Sequence, residues 1–258
     1  MSAHSMTVLM HSSLGVAALA SYWVAALAKK GSAPHKLAGK VYVVVMLGLL
    51  LPAIPLSIRV YQHFSASFGA FLFYLLLITA TALWQGWTAT RNKRDFPRYA
   101  DGRFRVLAWA NIVSGLAVMG LGVAMASPIF FGFSLVGLLG GRGMLRLAKA
   151  GPSHPRWWIE QHLGAMLGCG VATHIAFLQI GLPRLLPSLA GPVLQNGAWL
   201  GPLLVAGLAR VWLSRKYLGA GPAASKAAGA RPAGAASDAA LTSESAPRTT
   251  LGTTSSAS

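Results

Sequence analysis

The chain has 258 residues, of which 54% are hydrophobic and only 10% are charged. Soluble domains carry about 25% charged residues, so this composition excludes an ordinary soluble domain and indicates a membrane protein. The formal net charge of +17 does not indicate a nucleic-acid-binding protein, because the basic residues stand in short clusters between long apolar stretches. The single cysteine, Cys169, excludes a disulfide within the chain.

The first three apolar stretches predict transmembrane helices over about 7–28, 40–60 and 68–90, each long enough to cross a hydrocarbon layer. The first stretch lacks the basic start of a secretory signal and ends at Lys29 and Lys30, so we expect a retained helix. The second contains Pro52 and Pro55, which should kink it.

Four further spans are predicted over about 106–125, 128–147, 159–180 and 198–218. A loop with Pro183, Pro187 and Pro192 precedes the last of them. The fold class predicted is therefore all-α: a polytopic transmembrane helical bundle of about seven spans that occupies residues 1–218. Residues 219–258 are rich in Ala, Gly, Ser and Thr, and we expect them to form a disordered cytoplasmic tail.

The basic residues predict the orientation of the bundle. Of the 22 Lys and Arg residues, all but Arg59 and Arg184 lie in the loops after the first, third and fifth spans or near the C-terminus. Basic loops stay in the cytoplasm, which places the N-terminus outside and the C-terminus in the cytoplasm of a bacterial inner membrane. These loops should contact anionic lipid headgroups. No nucleic acid partner is expected, and protein partners are left open.

The sixth span carries the polar residues that indicate where function lies. It holds His162 and His174, and ionisable groups inside a membrane usually have a partner or a role. Rotation by about 120° and a displacement of about 18 Å separate the two histidines, so they cannot bind one ion. Gly164 and Gly168 are spaced to let a neighbouring backbone come close. One face of this helix is predicted to contain His162, Met166, Cys169 and Thr173.

Several short motifs occur in a fixed order along residues 7–217. They are His11 in the first helix, the run from His35 through Gly39 and Tyr42 to Met46, Gly86-Trp87 before a basic loop, and His162-x-x-x-Met166 followed by Ala172, Ala176 and Phe177. Together they resemble the bacterial multi-pass membrane family catalogued as domain of unknown function 2306. The resemblance implies a membrane location and candidate positions but no reaction. His174 departs from the family pattern, where a small hydroxyl residue is expected.

Ligation of haem or of a metal ion by histidine is the leading functional hypothesis, since neutral imidazole binds both. The predicted topology places His35 and His162 near the cytoplasmic face and His11 nearer the outside. We therefore predict a cofactor-binding site formed by His35 and His162, assisted by Met166, with His11 at an outer level. The alternative is that these imidazoles only donate hydrogen bonds to carbonyls or headgroups.

Other function classes stay open or are excluded by missing residues. Only five residues are acidic, and none lies in the middle of a predicted span, so paired-carboxylate hydrolysis and a carboxylate proton relay lack their groups. No catalytic motif is present, and no catalytic residue is predicted. A small-molecule permease is suggested by the proline-containing second span and the glycine-lined helices. A structural or accessory membrane subunit is the third class.

Overall fold

The structure is a computed structural model that describes residues 2–181 and 192–219. Within these residues the chain forms α-helices, one π-helical turn and no strand, which confirms the predicted all-α class. The helices are α1 (Ala3–Leu27), α2 (Ala33–His63), α3 (Ala66–Arg91), α4 (Phe96–Tyr99), α5 (Gly102–Ala124), α6 (Pro128–Ala150), α7 (Trp157–Ala176) and α8 (Pro192–Leu218), with the π-helical turn at Phe177–Gly181.

Short polar side chains determine where most of the long helices begin. Ser32, Ser65 and Ser127 precede α2, α3 and α6, and each hydroxyl accepts a hydrogen bond from a backbone N–H in the first turn. Asp101 caps α5 in the same way. These caps satisfy N–H groups that have no partner inside the helix. The helix α7 begins without a side-chain cap, after Arg156.

Six helices in the described part of the chain are long and apolar enough to cross a membrane: α1, α2, α3, α5, α6 and α8. The helix α7, predicted as the sixth of seven spans, has 20 residues but is not among them. Its mean hydropathy is lowered by Glu160, Gln161, His162 and His174. The composition of the helices therefore supports six spans, and α7 is the one long helix that is less apolar.

The predicted kink-forming prolines lie inside one unbroken helix, since α2 continues through Pro52 and Pro55 to His63. Consecutive helices pack as pairs, α1 with α2 and α5 with α6, and α3 packs against α2, α5 and α7. The helix α7 also contacts α1 and α8. It is therefore surrounded by other helices along much of its length.

Glycines allow the closest approaches between helices, though not at the predicted positions. A Cβ at Gly141 of α6 would lie 2.5 Å from the carbonyl oxygen of Ala108 in α5. At Gly164 the nearest neighbour is instead the guanidinium of Arg210, and at Gly168 it is a methyl group at 3.8 Å. The prediction that Gly164 and Gly168 admit a neighbouring backbone is therefore wrong, because the facing elements there present side chains.

Buried side chains form three clusters, which differ in depth along the bundle. One joins α3, α6 and α8 through Phe71, Phe130, Phe133 and Trp199. The second, at the opposite end of α3, includes Tyr99, Phe104, Met144 and Trp157. The third joins α1, α2, α3 and α7 through Ala18, Tyr42, Met46, Leu83 and Cys169.

Two predicted segments fall largely outside the described residues. Residues 220–258, nearly all of the predicted tail, are among them. Pro183 and Pro187 of the predicted proline-rich loop also lie outside the described residues, whereas Pro192 begins α8.

Candidate functional site: a histidine pair between α2 and α7

The structure brings His35 and His162 together from distant parts of the sequence. His35 lies in the first turn of α2, and His162 lies near the start of α7. Their ring centroids are 6.4 Å apart, and the ring planes are nearly perpendicular, at 82°. The two central residues of the predicted cofactor site are therefore neighbours.

One backbone carbonyl holds each ring. His35 Nδ1 donates to the carbonyl oxygen of Ala25 at 2.9 Å, and His162 Nδ1 donates to that of Gly86 at 2.9 Å. Because a carbonyl oxygen can only accept, Nδ1 must carry the proton, and Nε2 of the neutral ring keeps its lone pair. Neither Nε2 atom has a hydrogen-bond partner among the described residues.

This arrangement is typical of metal-binding histidines, in which one ring nitrogen is hydrogen-bonded and the other is available to the metal. A metal–nitrogen bond is about 2 Å long, so one metal ion held by both Nε2 atoms would place the two ring centroids up to about 6 Å apart. The observed 6.4 Å is close to that separation.

Met166 lies one helical turn after His162 and packs over Gly86. Its terminal methyl carbon occupies the space that a Cβ of Gly86 would need, and its sulfur is 3.6 Å from that position. Gly86 thus contributes twice: its carbonyl oxygen orients His162, and its missing side chain makes room for Met166. The thioether therefore lies beside Gly86, whose carbonyl oxygen holds His162, and the assisting role of Met166 stays a prediction.

A lysine places positive charge beside the pair. Lys30 Nζ donates to the carbonyl oxygen of Ala25 at 3.0 Å, the same oxygen that orients His35. Partial burial, and then the nearby charge of Lys216, lower the pKa of Lys30. Like charges repel, so this environment disfavours a bare cation and favours a group that brings negative charge of its own.

The number of ligands also restricts what the pair can bind. In the part of the chain that the structure describes, no group of three or more His, Cys, Asp and Glu side chains is placed to hold one metal ion. A structural zinc ion takes four protein ligands. Haem iron takes only its axial ligands from the protein, so two imidazoles suffice for it.

The other two membrane histidines serve different contacts. His11 Nδ1 donates to the carbonyl oxygen of Leu49 in α2 at 3.2 Å. It precedes Ala25, the partner of His35, by about 21 Å along α1, so His11 does not belong to the pair. His174 uses both nitrogens: Nδ1 donates to the carbonyl oxygen of Gly170 at 2.7 Å, and Nε2 accepts from Trp23 at 3.0 Å. It has no lone pair left for a metal.

The predicted face of α7 packs against α2 and α3. Thr173 donates to the carbonyl oxygen of Cys169 at 3.0 Å and also lies 3.2 Å from the hydroxyl of Tyr42. The thiol of Cys169 points to the carbonyl oxygen of Thr79 at 3.8 Å. Cys169 is fully buried, so its side chain packs inside the bundle.

Sequence reasoning missed the groups that orient the two rings. Ala25 and Gly86 act through their carbonyl oxygens, which every residue possesses, so no side-chain pattern identifies them. Gly86 was nevertheless one of the motif residues, and a glycine at that position is consistent with the close approach of Met166.

The apolar helices of the described chain define a multi-pass helical membrane protein. Comparison with family models, with curated proteins and with solved structures finds no match. The resemblance to the family of unknown function therefore stays a prediction. The candidate site rests on its own geometry.

Proposed function

We propose that this membrane protein binds a metal cofactor between His35 and His162, and that haem iron is the form that fits best. One observation carries the proposal: the two rings are 6.4 Å apart, each with Nδ1 held by a carbonyl and Nε2 left free. Two ligands suffice for haem iron. The positive charge of Lys30 attracts the carboxylates of a haem, whereas it repels a bare metal cation.

Such a cofactor would supply one-electron chemistry, and the chain would supply binding and orientation. The carbonyl oxygens of Ala25 and Gly86 fix the directions of the two imidazoles. Because these oxygens belong to α1 and α3, while the imidazoles belong to α2 and α7, the site requires four helices to be assembled. Binding should therefore stabilise the whole bundle.

We further propose seven spans, with the N-terminus outside and the C-terminus in the cytoplasm of a bacterial inner membrane. Packing supports a crossing by α7. His162 meets His35 at the start of both helices, and Thr173 meets Tyr42 further along both, so α7 runs parallel to α2. Its 20 residues give a length of about 30 Å, which is the thickness of the hydrocarbon layer.

The experiment that tests the cofactor is an ultraviolet-visible spectrum of detergent-purified protein, oxidised and dithionite-reduced, with elemental analysis of the same sample. The cells must be supplied with iron and a haem precursor. We expect a Soret band that is lost in His35→Ala and in His162→Ala. His174→Ala is the matched control, because that imidazole has both nitrogens engaged, and it should keep the band.

Three results would decide against haem at the histidine pair. Stoichiometric metal without a Soret band would identify a metal ion instead. A Soret band that survives in both variants, with the protein still folded, would place haem elsewhere. A clear spectrum without metal would remove the cofactor proposal altogether and leave the permease and the accessory subunit, the two other classes predicted from the sequence.

A further inference from the structure

We propose that a basic cleft formed by two loops binds a phosphate group. The cleft has a volume of about 700 Å³ and lies between the loop that follows α3 and the loop that precedes α7. Its polar lining comes from Lys93, Arg94, Ser153 and His154, and its aromatic lining from Phe96 and Trp157. None of these residues belongs to the histidine pair, so this inference is independent of the proposed cofactor.

Positive charge in the cleft exceeds negative charge. A second cavity of about 310 Å³ shares Lys93 and Arg94 with the first and is also lined by Arg91 and Arg98. The one carboxylate in its lining belongs to Asp95. That carboxylate accepts a hydrogen bond from the backbone N–H of Arg98 at 2.9 Å and caps α4.

No carboxylate of the described chain forms an ion pair with any of the four cations of the two cavities, which are Arg91, Lys93, Arg94 and Arg98. The ion pairs found there join Arg103 to Asp101 and His154 to Glu160. Several uncompensated cations along the walls of a cleft create a positive potential that attracts anions. Arginine and lysine side chains bind phosphate oxygens through strong charge-assisted hydrogen bonds, and the hydroxyl of Ser153 adds a neutral donor.

Aromatic packing holds the two loops in place. Trp157 packs edge-on against Phe96, with centroids 5.1 Å apart, and against Tyr99 at 4.9 Å. Lys93 Nζ lies 5.9 Å from the ring centre of Trp158. Because α4 and the start of α7 are fixed to each other by this cluster, the cleft is formed before a ligand arrives, which reduces the entropy cost of binding.

The same residues indicate the depth of the cleft. Tryptophan is enriched where hydrocarbon meets headgroups, and Trp157 and Trp158 stand at the start of α7. Arg91 lies over the ring of Trp87 at 4.4 Å, at the end of α3. A phosphate at this level belongs either to an anionic lipid headgroup or to a soluble phosphate, and both present the same oxyanion to Lys93 and Arg94.

The test measures binding of a fluorescent short-chain phosphatidic acid to the purified full chain in a neutral detergent, by fluorescence anisotropy. We expect the double variant Lys93→Gln/Arg94→Gln to bind about tenfold more weakly or worse, because each cation contributes a charged hydrogen bond. The control, Lys36→Gln/Lys40→Gln, removes the same charge from two exposed residues of another basic segment. It should bind as the unmodified chain does.

Competition identifies the source of the phosphate. Displacement by unlabelled phosphatidic acid alone supports a lipid headgroup, and equal displacement by inorganic phosphate supports a soluble ligand. The proposal is overturned if the probe does not bind, if phosphatidylcholine displaces it equally well, or if both double variants weaken binding to the same extent. A thermal melt of each variant without the probe shows whether the variant is folded.

Discussion

Tyr99 shows how a single buried group can reduce stability. Its side chain is fully buried among Trp84, Phe104 and Trp157. Its hydroxyl has no hydrogen-bond partner in the described part of the chain, and burial raises its pKa above the usual value. A desolvated hydroxyl without a partner costs about 1–3 kcal/mol, so the ring contributes packing while the oxygen opposes folding.

Replacing Tyr99 by Phe should therefore leave the thermal midpoint unchanged or raise it, with a gain of up to about 1–3 kcal/mol in the free energy of unfolding. The matched control is Tyr42→Phe, which removes a hydroxyl that lies 3.2 Å from Thr173 Oγ1. It should lower stability by about 1 kcal/mol. Melting in one detergent compares the two, and an equal loss in both would show that the Tyr99 hydroxyl has a partner.

The histidines illustrate the difference between a structural and a ligating imidazole. All four membrane histidines donate from Nδ1 to a carbonyl oxygen. Only His174 is shown accepting at Nε2, from Trp23. His35 and His162 are distinguished by their proximity, since their ring centroids are 6.4 Å apart.

At the scale of helices, the α5–α6 pair depends on glycine. A Cβ at Gly141 would lie 2.5 Å from the carbonyl oxygen of Ala108, whereas a Cβ at the adjacent Gly140 would meet nothing within 4 Å. Backbone atoms cannot move aside as a flexible side chain can. The two glycines therefore differ in what they tolerate although they are neighbours in sequence.

Gly141→Ala should push α5 and α6 apart and destabilise the protein by about 1–3 kcal/mol, the usual cost of overpacking. Gly140→Ala should be neutral or stabilising by up to about 1 kcal/mol, because alanine favours the helix. Thermal melts of the two variants measure the difference. Equal midpoints would contradict the close packing of these two helices.

The start of α5 depends on a charged cap. Asp101 accepts hydrogen bonds from the backbone N–H of Phe104 at 3.1 Å and from Arg103 Nε at 2.9 Å. Slight burial acts to raise the pKa of this carboxyl, but the hydrogen bonds outweigh it and the pKa is lowered. A carboxyl whose pKa is lower in the folded state stabilises the protein above its unfolded pKa, and that contribution is lost as the pH falls through the folded pKa.

Asp101→Ala should therefore cost about 1 kcal/mol at neutral pH, the usual value of a helix cap. In acid, below the lowered pKa, the difference between wild type and variant should shrink, since the protonated carboxyl is a weaker cap. Melting both proteins at about pH 7 and at successively lower pH values below about 4, where the unfolded carboxyl titrates, checks this. A difference that does not change with pH would show that the charge does not contribute.

At the scale of the whole molecule, the topology depends on whether α7 crosses the membrane. If it does, the loop before α7 and the end of α8 lie on the same side as the loop between α1 and α2. If it does not, the end of α8 lies on the opposite side. The polar side chains of α7 favour a crossing, because they pair with neighbouring helices: His162 with Gly86, His174 with Trp23 and Thr173 with Tyr42.

Labelling of introduced cysteines in intact cells distinguishes the two arrangements. We expect a membrane-impermeant maleimide to label Gln62→Cys, at the end of α2, and not to label Ser153→Cys or Lys216→Cys. Cys169 is buried, so the background should be low, and permeabilised cells provide the control for reactivity. Labelling of Lys216→Cys but not of Ser153→Cys would mean that α7 does not cross. Labelling of both, with Gln62→Cys protected, would invert the predicted orientation.

The sequence by itself determined the class of the protein and the approximate position of each long helix. Hydropathy adds up along a local stretch, so the apolar segments identify α1, α2, α3, α5, α6 and α8 without knowledge of their neighbours. The same property explains why hydropathy identifies α7 less clearly than the other long helices. The helix α7 contains Glu160, Gln161, His162 and His174, which lower its hydropathy. Local hydropathy does not show that His162 and His174 form hydrogen bonds to neighbouring helices.

The tertiary structure decided which histidines meet and what orients them. Helical periodicity placed His162 and Met166 on one face of α7, but it does not determine which helix that face contacts. The pairing of His35 with His162, and the carbonyl bonds from Ala25 and Gly86, depend on contacts among four helices. Contacts between residues far apart in sequence arise from the packing of complete helices. The sequence could therefore suggest the individual residues of the site, but only the folded bundle brings them together.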